Sequence, residues 1–417
     1  MKLPAWSIDV ETAFLNGDLT EEIFMKMPDG YKWIHGVESM EGKVLKLNKS
    51  IYGLVQAARQ WHEKFSDEII KLGFEGNNVE PCVFVKKRGE EFCILCIYVD
   101  DGIITGTETM MEETIERLNK VFKIKLEKSI KDFLGCQITY ENGKICLGQQ
   151  RIVEKLLKLS GEMKSESSWA TPSAPSFFVV RPKNKAEMIG EGRQKWFRSA
   201  IGTLLYLVKL SRPDIANPVR ELSKVMDNAC PGQEKELKRL VEFVIQTKDQ
   251  KLKLEAKSNS WEIKAYSDSD FAGDKDERKS ITGYVIFLSG SPISWRSKAQ
   301  PCVTLSSTES EYVALNETVR EVKFIFQLLE IMGNEAKRPA KILVDNIGCI
   351  FLAKNKTSGE RTKHIDMKYH FIREQIKMGL VEVEFVRTNE NHADLFTKNL
   401  GGEKFKFHAE NVFKGID

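Results

Sequence analysis

Apolar positions along the chain repeat with two periods, and each period predicts its own element. In "ARQWHEKFSDEIIKLGF", Trp61, Phe65, Ile69 and Leu72 fall 4, 4 and 3 residues apart, which is one helical face stopped at Gly73. Met111, Ile115, Leu118 and Phe122 predict a second helix. "CVFVKKRGEEFCILCIYVDDGIITG" reads as a hairpin turning at Arg88-Gly89, then a buried strand, then a bend at Asp100-Asp101-Gly102. The stretch from Arg198 to Gln246 is mostly helical, with Pro213 and Pro218 as breaks. "WEIKAYSDSD" alternates as a strand, and "TGYVIFLSGSPISWRSKAQPCVTLS" supplies two more around a Gly-Ser-Pro turn. Tyr312, Leu315, Val319, Val322, Phe326 and Leu329 then mark a long helix, followed by strand "AKILVD", helices, and strand "LVEVEFVR".

This is an α/β (α+β) chain whose last part leads with an antiparallel sheet. Two softer stretches, 160–176 and 247–264, divide it into about 1–165, 166–255 and 256–417.

Composition narrows the class. With 29% charged and 41% hydrophobic residues, the chain is ordinary for a globular protein. No apolar run reaches the roughly 18 residues of a membrane span, and the N-terminus lacks the apolar core of a secretory signal. A cytosolic or nuclear setting is expected. A net charge of +3 gives no bulk argument for nucleic-acid binding, which would need local basic surface. The eight Cys are scattered, mostly in apolar runs, and Cys93-x-x-Cys96 has no second ligand pair at zinc spacing, so reduced thiols are expected.

The acids carry the candidate chemistry. Asp100 and Asp101 directly follow an apolar run, where adjacent charges need compensation. Divalent cations supply it: phosphoryl transfer uses two of them about 4 Å apart, held by hard carboxylate oxygens. Asp9, after its own short apolar step, is a distant partner. Asp-Asp-Gly is also an ordinary hairpin turn, and the tetrapeptide alone reads first that way. A second set of acids is Asp268, Glu311, Asp345 and Asp394. Asp270 competes with Asp268, and Glu309 with Glu311. Thr308 with Glu311 could form a capping box, and Asp345 and Asp394 could be helix caps.

"SIDVETAFLNGDLTEEIFMKMPDGY", "LNKSIYGLVQAARQWHEKF", "LCIYVDDGIITG", "FLGCQITYENGKICLGQQRIVEKLL" and "FRSAIGTLLYLVKLSRPDIA", in this order, resemble the reverse transcriptase of copia-type long-terminal-repeat retrotransposons. "AYSDSDFAGDKDERKSITGYVIFLSGSPISWRSKAQPCVTLSSTESEYVAL", "DNIGCI", "RTKHIDMKYHFIRE" and "NHADLFTKNL" resemble the family's ribonuclease H. The resemblance implies a polymerase palm, a helical thumb or connection segment, and a ribonuclease H-like domain. Asp9, Asp100 and Asp101 would hold two Mg²⁺ (Mn²⁺ as a substitute) for attack of a primer 3′-hydroxyl on a deoxynucleotide. Phe14 would exclude the ribose 2′-hydroxyl, and Gln56 would line the nucleotide pocket; the plain readings are a core Phe and a solvent-facing Gln. Asp268, Glu311, Asp345 and Asp394 would hold two Mg²⁺ for cleavage of RNA in an RNA/DNA hybrid. The implied partners are an RNA template, a DNA primer, the hybrid, deoxynucleotides and the rest of the Gag-Pol polyprotein, with no membrane. The implied setting is a cytoplasmic virus-like particle with a nuclear stage.

The sequence departs from the family at several points. The chain starts a few residues before Asp9, so a polymerase without its fingers segment is expected. Val55 and Ala58 stand where the family typically has Lys and Pro, and "IKLEKSIKDFLG" lacks the usual Asp-Leu-Gly run. His392 lies two residues before Asp394, too close for the mobile His of related nucleases. Basic residues flank both acid sets: Lys86, Lys87 and Arg88 in one, Arg361, Lys363 and His364 in the other. A few of these are expected on phosphates.

Overall fold

The computed structural model describes residues 3–36, 42–161, 168–257, 260–355 and 366–416. The chain forms two compact units, Met1–Leu134 and Gly135–Asp417. The composition boundaries near 165 and 255 both fall inside the second.

In the first unit an antiparallel sheet is built from β1 (Ala5–Val10), β2 (Val83–Arg88), β3 (Glu91–Tyr98), β4 (Asp101–Gly106) and β5 (Ile124–Glu127), in the order β2-β3-β4-β1-β5. Helices α1 (Ala57–Lys71) and α2 (Glu108–Leu118) lie where the periodicity put them. Trp61, Phe65 and Ile69 of α1 and Met111, Ile115 and Leu118 of α2 join Trp6, Ile8, Leu95 and Ile104 of the sheet in one core. Each such side chain contributes about 1.5–3 kcal/mol on burial. Alternation then dictates the other face: with Trp6, Ile8 and Val10 inward, Asp9 is turned away from the core.

The bend expected at Asp100-Asp101-Gly102 sits one step earlier. Tyr98 pairs with Asp101, so the turn is Val99-Asp100 and Asp101 already belongs to β4. Val99 takes the left-handed conformation at φ 57°, which a β-branched residue adopts only under constraint. Two bonds from other elements supply that constraint: Trp61 Nε1 donates to the Val99 carbonyl at 2.7 Å, and the Val10 amide to the Asp100 carbonyl at 2.8 Å. Gly102 therefore does not make the turn. It is small for packing: a Cβ there would lie 2.7 Å from Ile8 Cγ1 and 3.1 Å from the Cys96 carbonyl.

The second unit opens with antiparallel strands Cys136–Glu141, Lys144–Gly148 and Leu252–Leu254. Between the last two come helices α3 (Glu191–Leu210), α4 (Ala216–Ser223) and α5 (Pro231–Gln246). Pro213 opens a short 3₁₀ turn and breaks the run as expected. Pro218 does not break it; it lies in the first turn of α4, where its missing N–H leaves no helical bond unmade.

A mixed sheet follows, of β6 (Trp261–Asp270), β7 (Ile281–Leu288), β8 (Ser291–Ala299), β9 (Ala336–Val344) and β10 (Val381–Phe385), ordered β8-β7-β6-β9-β10. The first three strands pair antiparallel, and β9 and β10 run parallel to β6. The β7–β8 turn is Ser289-Gly290, both at positive φ, with Pro292 already in β8 rather than in the turn. Helix α6 (Ser307–Ile331) buries Tyr312, Leu315 and Val319 against Ala265, Tyr284 and Ile286 on one sheet face. Tyr266, Val285 and Phe287, on the other face, join α3, α4 and α5 in a second core. Three short helices, α7 (Ile347–Lys354), α8 (Asp394–Thr397) and α9 (Gly402–Lys414), complete the part that positions the acids.

Candidate functional site

In the second unit the acids converge through strand order. β6 and β9 are parallel neighbours, so Asp268, near the end of β6, and Asp345, directly after β9, lie at the same edge. The second turn of α6 adds Glu311. One oxygen from each of Asp268, Glu311 and Asp345 lies within 4.8 Å of the others. Glu309, the competing acid, is spent on the helix start: its amide is capped by Ser306 Oγ at 3.1 Å, and its carboxylate accepts from the Leu305 amide at 2.8 Å. The cap is thus Ser306 with Glu309, not Thr308 with Glu311. Asp270 turns its carboxylate over Gly273, where a Cβ would lie 2.3 Å away. Asp345 is not a cap either, since Asn346 Oδ1 accepts the Cys349 amide at 2.8 Å.

Burial makes this group demanding. Asp268 is 1% and Glu311 6% exposed. Glu311 Oε1 accepts the Ser269 amide at 3.2 Å, while Oε2 is buried with no hydrogen-bond partner. Burial first, then the charges of Asp268 and Asp345, push the Glu311 carboxyl well above its ordinary range. Burial and Asp268 also raise Asp345. Three hard oxygens and an orphaned fourth fit a divalent cation, which would offset all of these penalties.

Asp394 does not join the three. It begins α8 and pairs with Lys398 four residues on, Oδ1 to Nζ 2.6 Å. The same ammonium lies 3.2 Å from Asp268 Oδ2, whose oxygen also accepts from the Thr397 hydroxyl. Burial and the Asp268 charge push Asp394 up to about 7. Burial opposes the Lys398 charge, but Asp268 and Asp394 beside it hold its pKa above the usual value. Neither Lys398 nor Thr397 belongs to the acid pattern that marks the site in the sequence. The Asp394/Lys398 spacing of i,i+4 was the available signal.

In the first unit, backbone register brings the acids together. Asp9 and Asp101 are direct cross-strand partners, and Asp100 occupies the turn beside them. Burial, then Asp100 and Asp9, raise the Asp101 carboxyl. Phe14 lies in a 3₁₀ turn (Ala13–Asn16), its ring centroid 4.9 Å from that of Tyr52 and its inner side against the core. Gln56 immediately precedes α1, and its carbonyl accepts the Gln60 amide at 2.9 Å. Arg88 is engaged by Glu91 and Glu113. Arg361, Lys363 and His364 lie outside the described residues. All eight thiols are free; Cys93, Cys136, Cys146 and Cys349 are buried, whereas Cys302 is exposed. His392 is fixed inside the fold, its Nδ1 3.1 Å from that of His408, and burial lowers its pKa to about 3.

The first unit thus carries an antiparallel sheet with Asp9, Asp100 and Asp101 at one turn, and the second a β8-β7-β6-β9-β10 sheet with an acidic edge. Residues 2–175 match the family model "Reverse transcriptase (RNA-dependent DNA polymerase)". The chain belongs to the copia-type retrotransposon Pol polyproteins, in their reverse transcriptase/ribonuclease H region. It is 36% identical over 99% of its length to the retrovirus-related Pol polyprotein from transposon TNT 1-94 of Nicotiana tabacum. It is 34% identical over 98% of its length to that from transposon RE1 of Arabidopsis thaliana. It spans 31% and 27% of those relatives. A compost-derived RNase H1 structure (LC11) is similar over 35% of this chain and 96% of its own, at 16% identity and a TM-score of 0.26. No helix among the described residues is long and apolar enough to cross a membrane.

Proposed function

We propose that the chain is an RNA-directed DNA polymerase with ribonuclease H activity, acting on an RNA template, a DNA primer and the hybrid they generate. The observation that carries the nuclease half is the convergence of Asp268, Glu311 and Asp345 around a buried Glu311 oxygen that has no protein partner. Mg²⁺ is the proposed cation; when bound it would activate a water and stabilise charge on the scissile phosphate. The chain's own part is to hold these carboxylates in a fixed array, with Lys398 paired to Asp268 and Asp394 beside them. In the polymerase half, Asp9, Asp100 and Asp101 would hold the cations, Phe14 would select against the ribose 2′-hydroxyl, and Gln56 would face the nucleotide. The proposed setting is a cytoplasmic particle assembled with the rest of the polyprotein, with a nuclear stage.

A nuclease-only reading has one observation in its favour: among the described residues, the carboxylate group close enough to share an ion lies in the second unit. One experiment decides. The purified chain is given an RNA template, a DNA primer, deoxynucleotides and Mg²⁺, and extension and RNA cleavage are followed separately. Extension lost in Asp100→Asn and cleavage lost in Asp268→Asn support the dual activity. Cleavage without extension leaves the nuclease alone, and silence in both rejects the proposal.

A further inference from the structure

A cavity of about 350 Å³ opens between α3, α4 and β8, away from the acidic edge. Its wall carries Lys209, Arg220 and Arg296, with the hydroxyls of Ser223 and Ser297, and none of its lining residues is acidic. Trp295 forms the floor, its indole N–H fixed on the Val208 carbonyl at 2.8 Å.

The cations there are only partly neutralised. Arg220 Nε donates to Ser297 Oγ at 3.0 Å, and Nη2 lies 2.7 Å from Glu221, but Nη1 is buried with no hydrogen-bond partner. Glu221 is also shared with Lys224 at 2.9 Å. Arg296 is 3.8 Å from its nearest acid, Glu317, and Lys209 pairs with no acid among the described residues. Lys209 and Arg296 thus line the cavity with charge that no close acid neutralises, which suits an anion.

Sheet register relates the cavity to the acids. Asp268 pairs with Gly283, and Gly283 with Ser297, so the three form one row across β6, β7 and β8. Residues directly opposite share a face, and two interstrand spacings are about 10 Å. Gly283 leaves room for α8 to pack over the middle of the row, since a Cβ there would meet Thr397 Cγ2 at 2.6 Å and Phe396 Cβ at 3.0 Å.

We propose that this cavity seats a backbone phosphate of the nucleic acid whose cleaved strand lies at Asp268, a few nucleotides along the duplex. The inference rests on the nuclease reading above. It assigns Lys209, Arg220 and Arg296 the task of fixing the duplex's position, which needs no base contact.

The test uses the full chain and the double variant Lys209→Gln/Arg296→Gln, which spares the buried Arg220 and every acid. Binding of a fluorescent RNA/DNA hybrid is measured by anisotropy over a salt series with Ca²⁺ in place of Mg²⁺. Cleavage is measured separately in Mg²⁺, and a thermal melt verifies folding. The expected result is about tenfold weaker binding and a salt slope shallower by about 1. KM rises while kcat is kept, and the melting temperature is unchanged. Unchanged affinity and slope in a variant whose parent binds and cleaves the hybrid would overturn the cavity's role alone. A parent chain that neither binds nor cleaves the hybrid would overturn the nuclease reading and this inference with it.

Discussion

Asp9 and Asp101 face each other directly across antiparallel strands β1 and β4. Like charges in that position destabilise a sheet pair by about 0.2–1 kcal/mol, and they add to burial, the main cause, in raising the Asp101 carboxyl. Asp101→Asn is expected to raise the metal-free stability by about that amount. The same change should abolish Mg²⁺-dependent primer extension. Denaturant midpoints and an extension assay on one preparation check both halves.

Gly102 gives a cleaner structural test. A Cβ would press on Ile8 and on the Cys96 carbonyl, which is backbone and cannot rotate away. Gly102→Ala should therefore destabilise by about 1–3 kcal/mol, the usual range for overpacking. A near-neutral effect in urea unfolding would mean that the strand has room to spare.

Glu311→Gln should separate stability from metal binding. It removes a buried charge whose second oxygen has no partner. The metal-free chain is expected to gain about 1–3 kcal/mol, whereas the rise in melting temperature on adding Mg²⁺ or Mn²⁺ should shrink. Calorimetric melts with and without cation measure both.

Asp394 sets a pH dependence. Burial and Asp268 keep it protonated up to about 7 in the folded chain. In the unfolded chain a carboxyl ionises near about 4. Between those values the folded state holds the extra proton, so this group's contribution to metal-free stability falls as pH rises and levels off above about 7. The stability of Asp394→Asn relative to the parent should therefore grow across that window and then stay constant. Cation affinity should run the opposite way, rising with pH as the ligands deprotonate. Melts of parent and variant at pH 4.5, 6 and 7.5 (about one point per stage of the titration) test the first, and Mn²⁺ titrations the second.

The sequence by itself determined the elements whose apolar residues recur at a clear period. Trp61, Phe65 and Ile69 could face only one way on a helix, and β6, β7 and α6 followed from the same local rule. The motifs also picked out Asp268, Glu311 and Asp345, the acids that the fold brings together, since Asp and Glu at strand ends and helix starts are visible as letters. Tertiary structure decided how they are used. Glu309 and Glu311 are two residues apart and chemically alike, and only the capping geometry of Ser306 assigns one to the helix start and leaves the other facing Asp268. The turn at Val99-Asp100 is held by Trp61 and Val10, from distant parts of the chain, so local turn preference placed it one residue late. Lys398 reaches Asp268 across 130 residues of sequence. Electrostatic partnership depends on distance in space, and the topology of the β8-β7-β6-β9-β10 sheet sets that distance.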